Sequence, residues 1–209
     1  MALVKYNNNS ISAVTSAASI PSGAMTLIKT LTASSSSTLS FVHGSSDVVL
    51  DSTYPIYVFK FINIHPSTDD KKFEFNMSVD TGSNYNVAKT TTWFQAYHAE
   101  NDAGAALAYN TSVDLAQGTG FQTISGNVGI VSDSNVGGYL YLFNPSSTTF
   151  VKHFIASAVT NTSGTPSYVQ NAYIAGYGNT TSAVDAIQFK MDTGNIDLGS
   201  IKLYGIKDS

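Results

Sequence analysis

The chain of 209 residues has no cysteine, so disulfides, thiolate metal ligands and a cysteine nucleophile are all excluded. It has no arginine either, and its ten cationic side chains are all lysine. Phosphate and guanine recognition lean heavily on arginine, and a net charge of −4 repels a polyanion, so nucleic acid is excluded as a partner. Charged residues make up 11% of the chain, less than half the usual ~25%, which leaves contact with water to uncharged polar groups. No apolar run approaches the ~18 residues of a spanning helix, and the opening MALVKYNNNS lacks the apolar stretch of a signal peptide. The expectation is a protein made without export and without membrane insertion.

Helical periodicity is also missing, since no window of about twelve residues carries an apolar stripe. At most a turn of helix is expected over Ala103 to Leu107. In its place are abundant Ser, Thr and Asn, with twelve Tyr and eleven Phe, and short apolar or alternating runs separated by turn residues. Strands are expected at Met25 to Thr32, Leu39 to His43, Tyr54 to His65, Phe73 to Val79, Thr90 to His98, Tyr139 to Phe143, Thr149 to Ala156, Tyr168 to Tyr177, Ala186 to Met191 and Ser200 to Ile206. Tyr54 to His65 is apolar on nearly both faces and reads as a central strand. Phe73, Phe75, Met77 and Val79 alternate with polar residues, so one face should be core and the other wet. Asn144-Pro145-Ser146-Ser147 places Pro for a type I turn in a hairpin. From Ala105 to Gly138 the pattern is irregular, with Phe121 to Ile124 and Val128 to Val131 as short candidates. The fold class implied is all-β, an antiparallel two-sheet sandwich, with jelly-roll topology first and a lectin-like sandwich second.

Residues 1–24 differ from the rest: small and polar, with scattered Leu3, Val4, Tyr6, Ile11, Val14 and Ile20, they cannot make a core of their own. They read as an extended assembly arm, and residues 25–209 as one β-sandwich domain.

Chemistry-bearing motifs are few. Asp80-Thr81-Gly82 and Asp192-Thr193-Gly194 copy the loop that presents an aspartic-protease carboxylate, and that chemistry needs two such groups ~3 Å apart. The chain is too short for two duplicated lobes, however, and Asn195 stands where the protease family uses Ser or Thr. Both copies follow alternating strands, where Asp and Gly are good turn residues. Asp192 to Asp197 and Asp133-Ser134-Asn135 offer oxygen ligands for a structural Ca²⁺, without matching a complete EF-hand loop. The four His residues show no zinc spacing, only Glu74 and Glu100 represent glutamate, and no G-x-S-x-G elbow occurs. No catalytic residue and no other cofactor is assigned. A period of two places Thr91, Trp93, Gln95 and Tyr97 on one strand face, making Trp93, Gln95 and Tyr97 candidate glycan contacts, with the core competing for Trp93.

Several runs together carry a resemblance: MTLIKTLTASSS from Met25, YPIY from Tyr54, FINIHP from Phe61, YLFNPSSTTF from Tyr141 and GSIKLYGI from Gly199. They are similar to a widespread group of virion proteins of marine tailed phages, over most of Met25 to Lys207. The resemblance implies a non-enzymatic capsid or tail component, located in the virion, with other virion proteins and copies of itself as partners. A tail- or fibre-associated module touching host glycans comes first, a head decoration protein second, and a glycan-active enzyme third.

Overall fold

A computed structural model of the protein describes residues 25–207. The expected arm, residues 1–24, lies outside the described residues. Among those described there is no helix, and twelve strands follow one another: β1 Met25–Thr32, β2 Leu39–Val42, β3 Ile56–Pro66, β4 Lys71–Ser78, β5 Lys89–Ala99, β6 Ala105–Tyr109, β7 Gln122–Val128, β8 Val136–Phe143, β9 Lys152–Asn161, β10 Tyr168–Gly178, β11 Ala186–Met191 and β12 Ile196–Ile206. They form an eight-stranded sheet, in the order β1-β12-β3-β8-β9-β10-β5-β6, and a four-stranded sheet, β2-β11-β4-β7. Every paired neighbour is antiparallel. Without β5, β6, β9 and β10, the large sheet would read β1-β12-β3-β8 and match the small one strand for strand. Those four inserted strands extend the large sheet well past the edge of the small one.

The core lies between the sheets and is built from phenylalanine. Phe41, Phe73, Phe75 and Phe189 from the small sheet meet Phe59, Phe61 and Phe154 from the large one. The Phe189 ring lies 5.4–6.3 Å, centroid to centroid, from Phe41, Phe59, Phe61, Phe73 and Phe75. Sheet alternation puts every second residue into this layer. β3 is interior, as its sequence implied, with Tyr57, Val58 and Phe59 all fully buried in succession. The β8–β9 hairpin also forms, and its loop opens with the Ser147 N–H donating to the Asn144 carbonyl at 3.1 Å, Pro145 sitting second in the turn.

Two expectations need correction. The polar face of β4 is not wet: Asn76 and Ser78 are fully buried, while Val79 is exposed. Asn76 donates its amide hydrogens to the carbonyls of Tyr85, Thr119 and Gly120, and so pins two loops over its strand. Ala105 to Tyr109 is a strand and not a turn of helix, because its backbone pairs with the β5 edge from Phe94 to His98. Helix-favouring Ala yields here to tertiary pairing. Of the two candidates further on, Gln122 to Val128 is one strand, and Ile130 and Val131 are exposed in the loop after it.

The lid over β4 also buries a cation. Lys89 is fully buried, and its ammonium donates to Asn76 Oδ1 and to the Val87 carbonyl, with no carboxylate among its bonded partners. Burial alone pushes its pKa down to about 7 from an ordinary 10.5. Lys152 is buried in the same manner, donating to the carbonyls of Phe150 and Thr180, and its pKa is lowered too.

Phe189→Ala is expected to lower unfolding stability by about 3–5 kcal/mol, read from urea denaturation, because it empties the centre of the aromatic layer. The buried lysine predicts a rise of stability with pH. Between about 7 and 10.5 the unfolded chain holds a proton on Lys89 that the folded chain has released, so stability grows as pH rises through that window. A gain of up to about 3 kcal/mol is expected between pH 7 and 9.5. Lys89→Met should remove most of that gain; an unchanged pH dependence in the variant would show that Lys89 stays charged when folded.

Candidate functional site

The inner face of β5 runs from the core outward to solvent. Thr91, Trp93, Gln95 and Tyr97 share that face, as their spacing implied. Trp93 falls in a registered row with Ile174, Ala156, Leu140, Phe59 and Leu203. At 2% exposure it is core, which corrects its place among the glycan-contact candidates: an indole in that row cannot offer its face to a surface glycan. Its neighbours do reach the surface. Gln95 and Tyr97 line a cleft of about 340 Å³ with Asn127, Thr162, Ser163, Tyr168 and Gln170.

The cleft follows from the unequal widths of the sheets. The small sheet ends at β7, while the large sheet continues through β10, β5 and β6. Beyond β7 the inner face of the large sheet has no sheet beneath it. Loop 110–120 runs along the β5 edge, where the Thr91 and Lys89 N–H groups donate to the Leu115 and Gly118 carbonyls, and covers part of the face at Val113, which packs against the core and whose carbonyl accepts from Gln122 Nε2. The uncovered remainder is lined by polar side chains. Gln170 pairs with Tyr97 in register, and its amide donates to Gln95 Oε1. The Tyr97 and Tyr168 rings meet edge to face at 5.5 Å and form one wall.

Behind the Gln95–Gln170 pair lies a second, more enclosed space of about 320 Å³, lined by Trp93, Asn110, Ser112, Thr123 and Lys72 among others. Trp93 Nε1 is buried there without a hydrogen-bond partner among the described residues. A buried indole N–H ordinarily finds an acceptor. No charged side chain lines the outer cleft. At its rim Asp70 is already occupied, accepting from Asn127 Nδ2 at 2.7 Å and Ser163 Oγ at 3.1 Å.

The two Asp-Thr-Gly copies do not meet. Phe73 pairs with Met191 and Ser78 with Ala186, so Asp192 stands beside Lys72 while Asp80 lies past the opposite end of β4. Eight residues of extended chain separate them, about 26 Å. Each carboxylate is engaged in hydrogen bonds of its own, Asp80 within its turn and Asp192 with the neighbouring strand. Asp80 accepts from Ser78 Oγ at 2.7 Å and from the side chain and backbone of Asn84, and these bonds hold its pKa down at about 2. Asp192 accepts the Lys72 N–H at 3.1 Å. In the stretch considered for Ca²⁺, Asn195 donates to the Ser35 carbonyl and Asp197 faces His65 at 3.9 Å. Among the described residues no group of three or more acidic or His side chains gathers at one place.

The outer face of the large sheet is a second candidate surface, one that periodicity alone could not assemble. One row crosses all eight strands in register: Thr30, Lys202, Lys60, Tyr139, Ser157, Tyr173, Phe94 and Tyr109. It holds two lysines and no carboxylate. Phe94 and Tyr173 stack at 5.2 Å, and Tyr139 meets Tyr141 edge to face at 5.3 Å. The adjoining rows add Ile155, Val159 and Leu107, exposed by 50%, 46% and 75%, so the apolar area is continuous from β8 to β6.

Compared with known proteins, the chain matches no family model, no curated protein and no solved structure.

Proposed function

We propose that the protein is a non-enzymatic structural component of a phage particle, a jelly-roll module of the tail or its fibres that assembles with copies of itself. The observation that carries this reading is the outer face of the eight-stranded sheet. A lone soluble protein seldom exposes a continuous apolar patch of more than a few hundred Å². This one spans roughly 20 Å across the five strands from β8 to β6. A subunit in an assembly covers such a face with a neighbour.

The distribution of charge favours a second copy as that neighbour. Two sheets facing each other across a two-fold axis parallel to their strands run in opposite strand order. In that arrangement Lys202 and Lys60 of one subunit lie over Phe94 and Tyr173 of the other, a cation–π match repeated twice by symmetry. Lys60 already packs over an aromatic ring of its own chain, Tyr204, at 5.2 Å. With no carboxylate in the row, neither subunit buries an acid against the other.

The strand order supports the topology. Apart from the inserted β5, β6, β9 and β10, the chain leaves β1, β3, β8 and β12 in one sheet and β2, β4, β7 and β11 in the other, paired β1-β12-β3-β8 and β2-β11-β4-β7. Two interlocked Greek keys in two sheets are the jelly-roll plan, which capsid and attachment proteins use widely. Asp80 and Asp192 lie at opposed ends of β4, so the carboxylate pair of an acid protease is not assembled within one chain.

Two measurements test the reading. Imaging purified phage particles with an antibody to the chain should label the tail or its fibres; labelling confined to the head would favour a decoration protein, and a chain missing from purified particles would overturn the virion reading. Light scattering on the purified chain should give a multiple of the single-chain mass, and Tyr173→Glu should reduce it to one chain while the far-ultraviolet circular dichroism stays unchanged. An oligomer that survives Tyr173→Glu would remove the outer face as its interface.

A further inference from the structure

The cleft beneath the overhang of the large sheet is separate from the assembly surface. Gln95, Tyr97 and Gln170 are on the inner face of β5 and β10, whereas Phe94 and Tyr173 project from the outer face of the same strands. Its chemistry is narrow: three primary amides, two phenols and two small hydroxyls, with no charged side chain along its lining. Its volume of about 340 Å³ is in the range of small-ligand sites.

Its donors and acceptors are only partly used within the protein. The Gln95–Gln170 contact consumes Gln95 Oε1 and one Gln170 N–H. The Gln95 amide nitrogen and the Tyr97 and Tyr168 hydroxyls have no hydrogen-bond partner among the described residues. Behind the amide pair Trp93 lines the enclosed space, and its buried N–H has no acceptor among the described residues. A ligand completing this set must donate and accept at several closely spaced points, carry no net charge, and present an apolar edge to the Tyr97–Tyr168 corner. Hydrocarbons fail the first condition and ions the second. A pyranose ring meets all of them, because its hydroxyls each donate and accept while its axial C–H groups make one face apolar.

We infer that this cleft binds one neutral sugar unit, with Gln95 and the Tyr97–Tyr168 corner as the contacting groups and Trp93 directly behind them. The site does not depend on how the subunits assemble. Trp93 is the single tryptophan of the chain, so its fluorescence reports occupancy of the adjoining space.

The full chain is to be titrated with the methyl glycosides of glucose, galactose, mannose and N-acetylglucosamine, with glucuronate and N-acetylneuraminate as charged controls. Tryptophan emission and calorimetric heat are both recorded. At least one neutral glycoside is expected to give a saturable shift with matching heat, and the acids to bind no better. Gln95→Ala should weaken that binding at least tenfold, and Ser163→Ile, which fills the mouth from the rim without touching the core, should do the same. Tyr139→Ala on the opposite face should leave it unchanged. Absence of saturable binding by all four neutral glycosides, tighter binding of an acid, or affinity that survives both Gln95→Ala and Ser163→Ile would overturn the assignment. Light scattering on the same variants separates this outcome from assembly, since the cleft substitutions leave the outer face intact.

Discussion

An eight-stranded sheet cannot be covered by a four-stranded one, and much of this molecule is arranged around that inequality. Each strand adds about 4.8 Å to a sheet's width, so roughly 19 Å of the larger sheet's inner face has no strand beneath it. Where the sheets do overlap, phenylalanines fill the gap and Phe189 touches five other rings. Where they do not, the chain resorts to loops, buried amides and a polar cleft. Asn76 belongs to this second solution: it lies on β4 inside the small sheet, yet its amide reaches outward to hold the loops at Tyr85 and Thr119 in place. Lys89 is the by-product, a cation sealed under those loops with only neutral oxygen partners. Its depressed pKa reflects the covering of an overhang with backbone and amides in place of hydrocarbon.

That division explains which parts of the fold could be read from the sequence. Alternation and apolar runs identify strands whose faces are set by the sheet–sheet core, and Phe73 to Met77, Tyr57 to Phe61 and Ile187 to Met191 lie where their patterns put them. The failures fall on segments whose environment comes from the overhang. Ala105 to Tyr109 has no apolar alternation because β6 is an edge strand with solvent on its outer side, and four of its five residues are exposed. Asn76 and Ser78 look like a wet face because nothing local announces that residues 80–88 will fold back over them. Trp93, Gln95 and Tyr97 were legible as sharing one face, but their depth along β5 was not, since it depends on where β7 stops in the other sheet. Gln170 and Tyr168, which complete the cleft from a strand more than seventy residues away, carry no local signal of partnership with Gln95.

The scarcity of charge acquires a structural meaning on the outer face. A sheet that is to be covered by a neighbour gains nothing from carboxylates, each of which would lose its hydration on assembly. Amphipathic tyrosine suits such a face, because it is compatible with water before assembly and with apolar contact afterwards. The chain's acids are concentrated outside the strands: Asp51 and Asp80 accept backbone N–H groups of their own turns, and Asp192 accepts one from Lys72 on the neighbouring strand. Carboxylates thus serve mainly in loops and turns, and the strands of the large sheet carry a single one, Asp197 on β12.

The Asp-Thr-Gly repeat shows how the same three residues can serve opposite purposes. In an acid protease two such loops must converge until their carboxylates share a proton, and repulsion then drives their pKa values apart. Here β4 and β11 pair antiparallel along their whole length, so a motif following β4 and one following β11 are forced to opposite ends of the pair. The Asp80 pKa moves downward to about 2 because Ser78 and Asn84 stabilise its ionised form, the direction a turn anchor requires and the reverse of a carboxylate held protonated to act as an acid. The tripeptide's placement is therefore decided by strand pairing, and antiparallel pairing of the two strands that carry it keeps the two carboxylates apart within the chain.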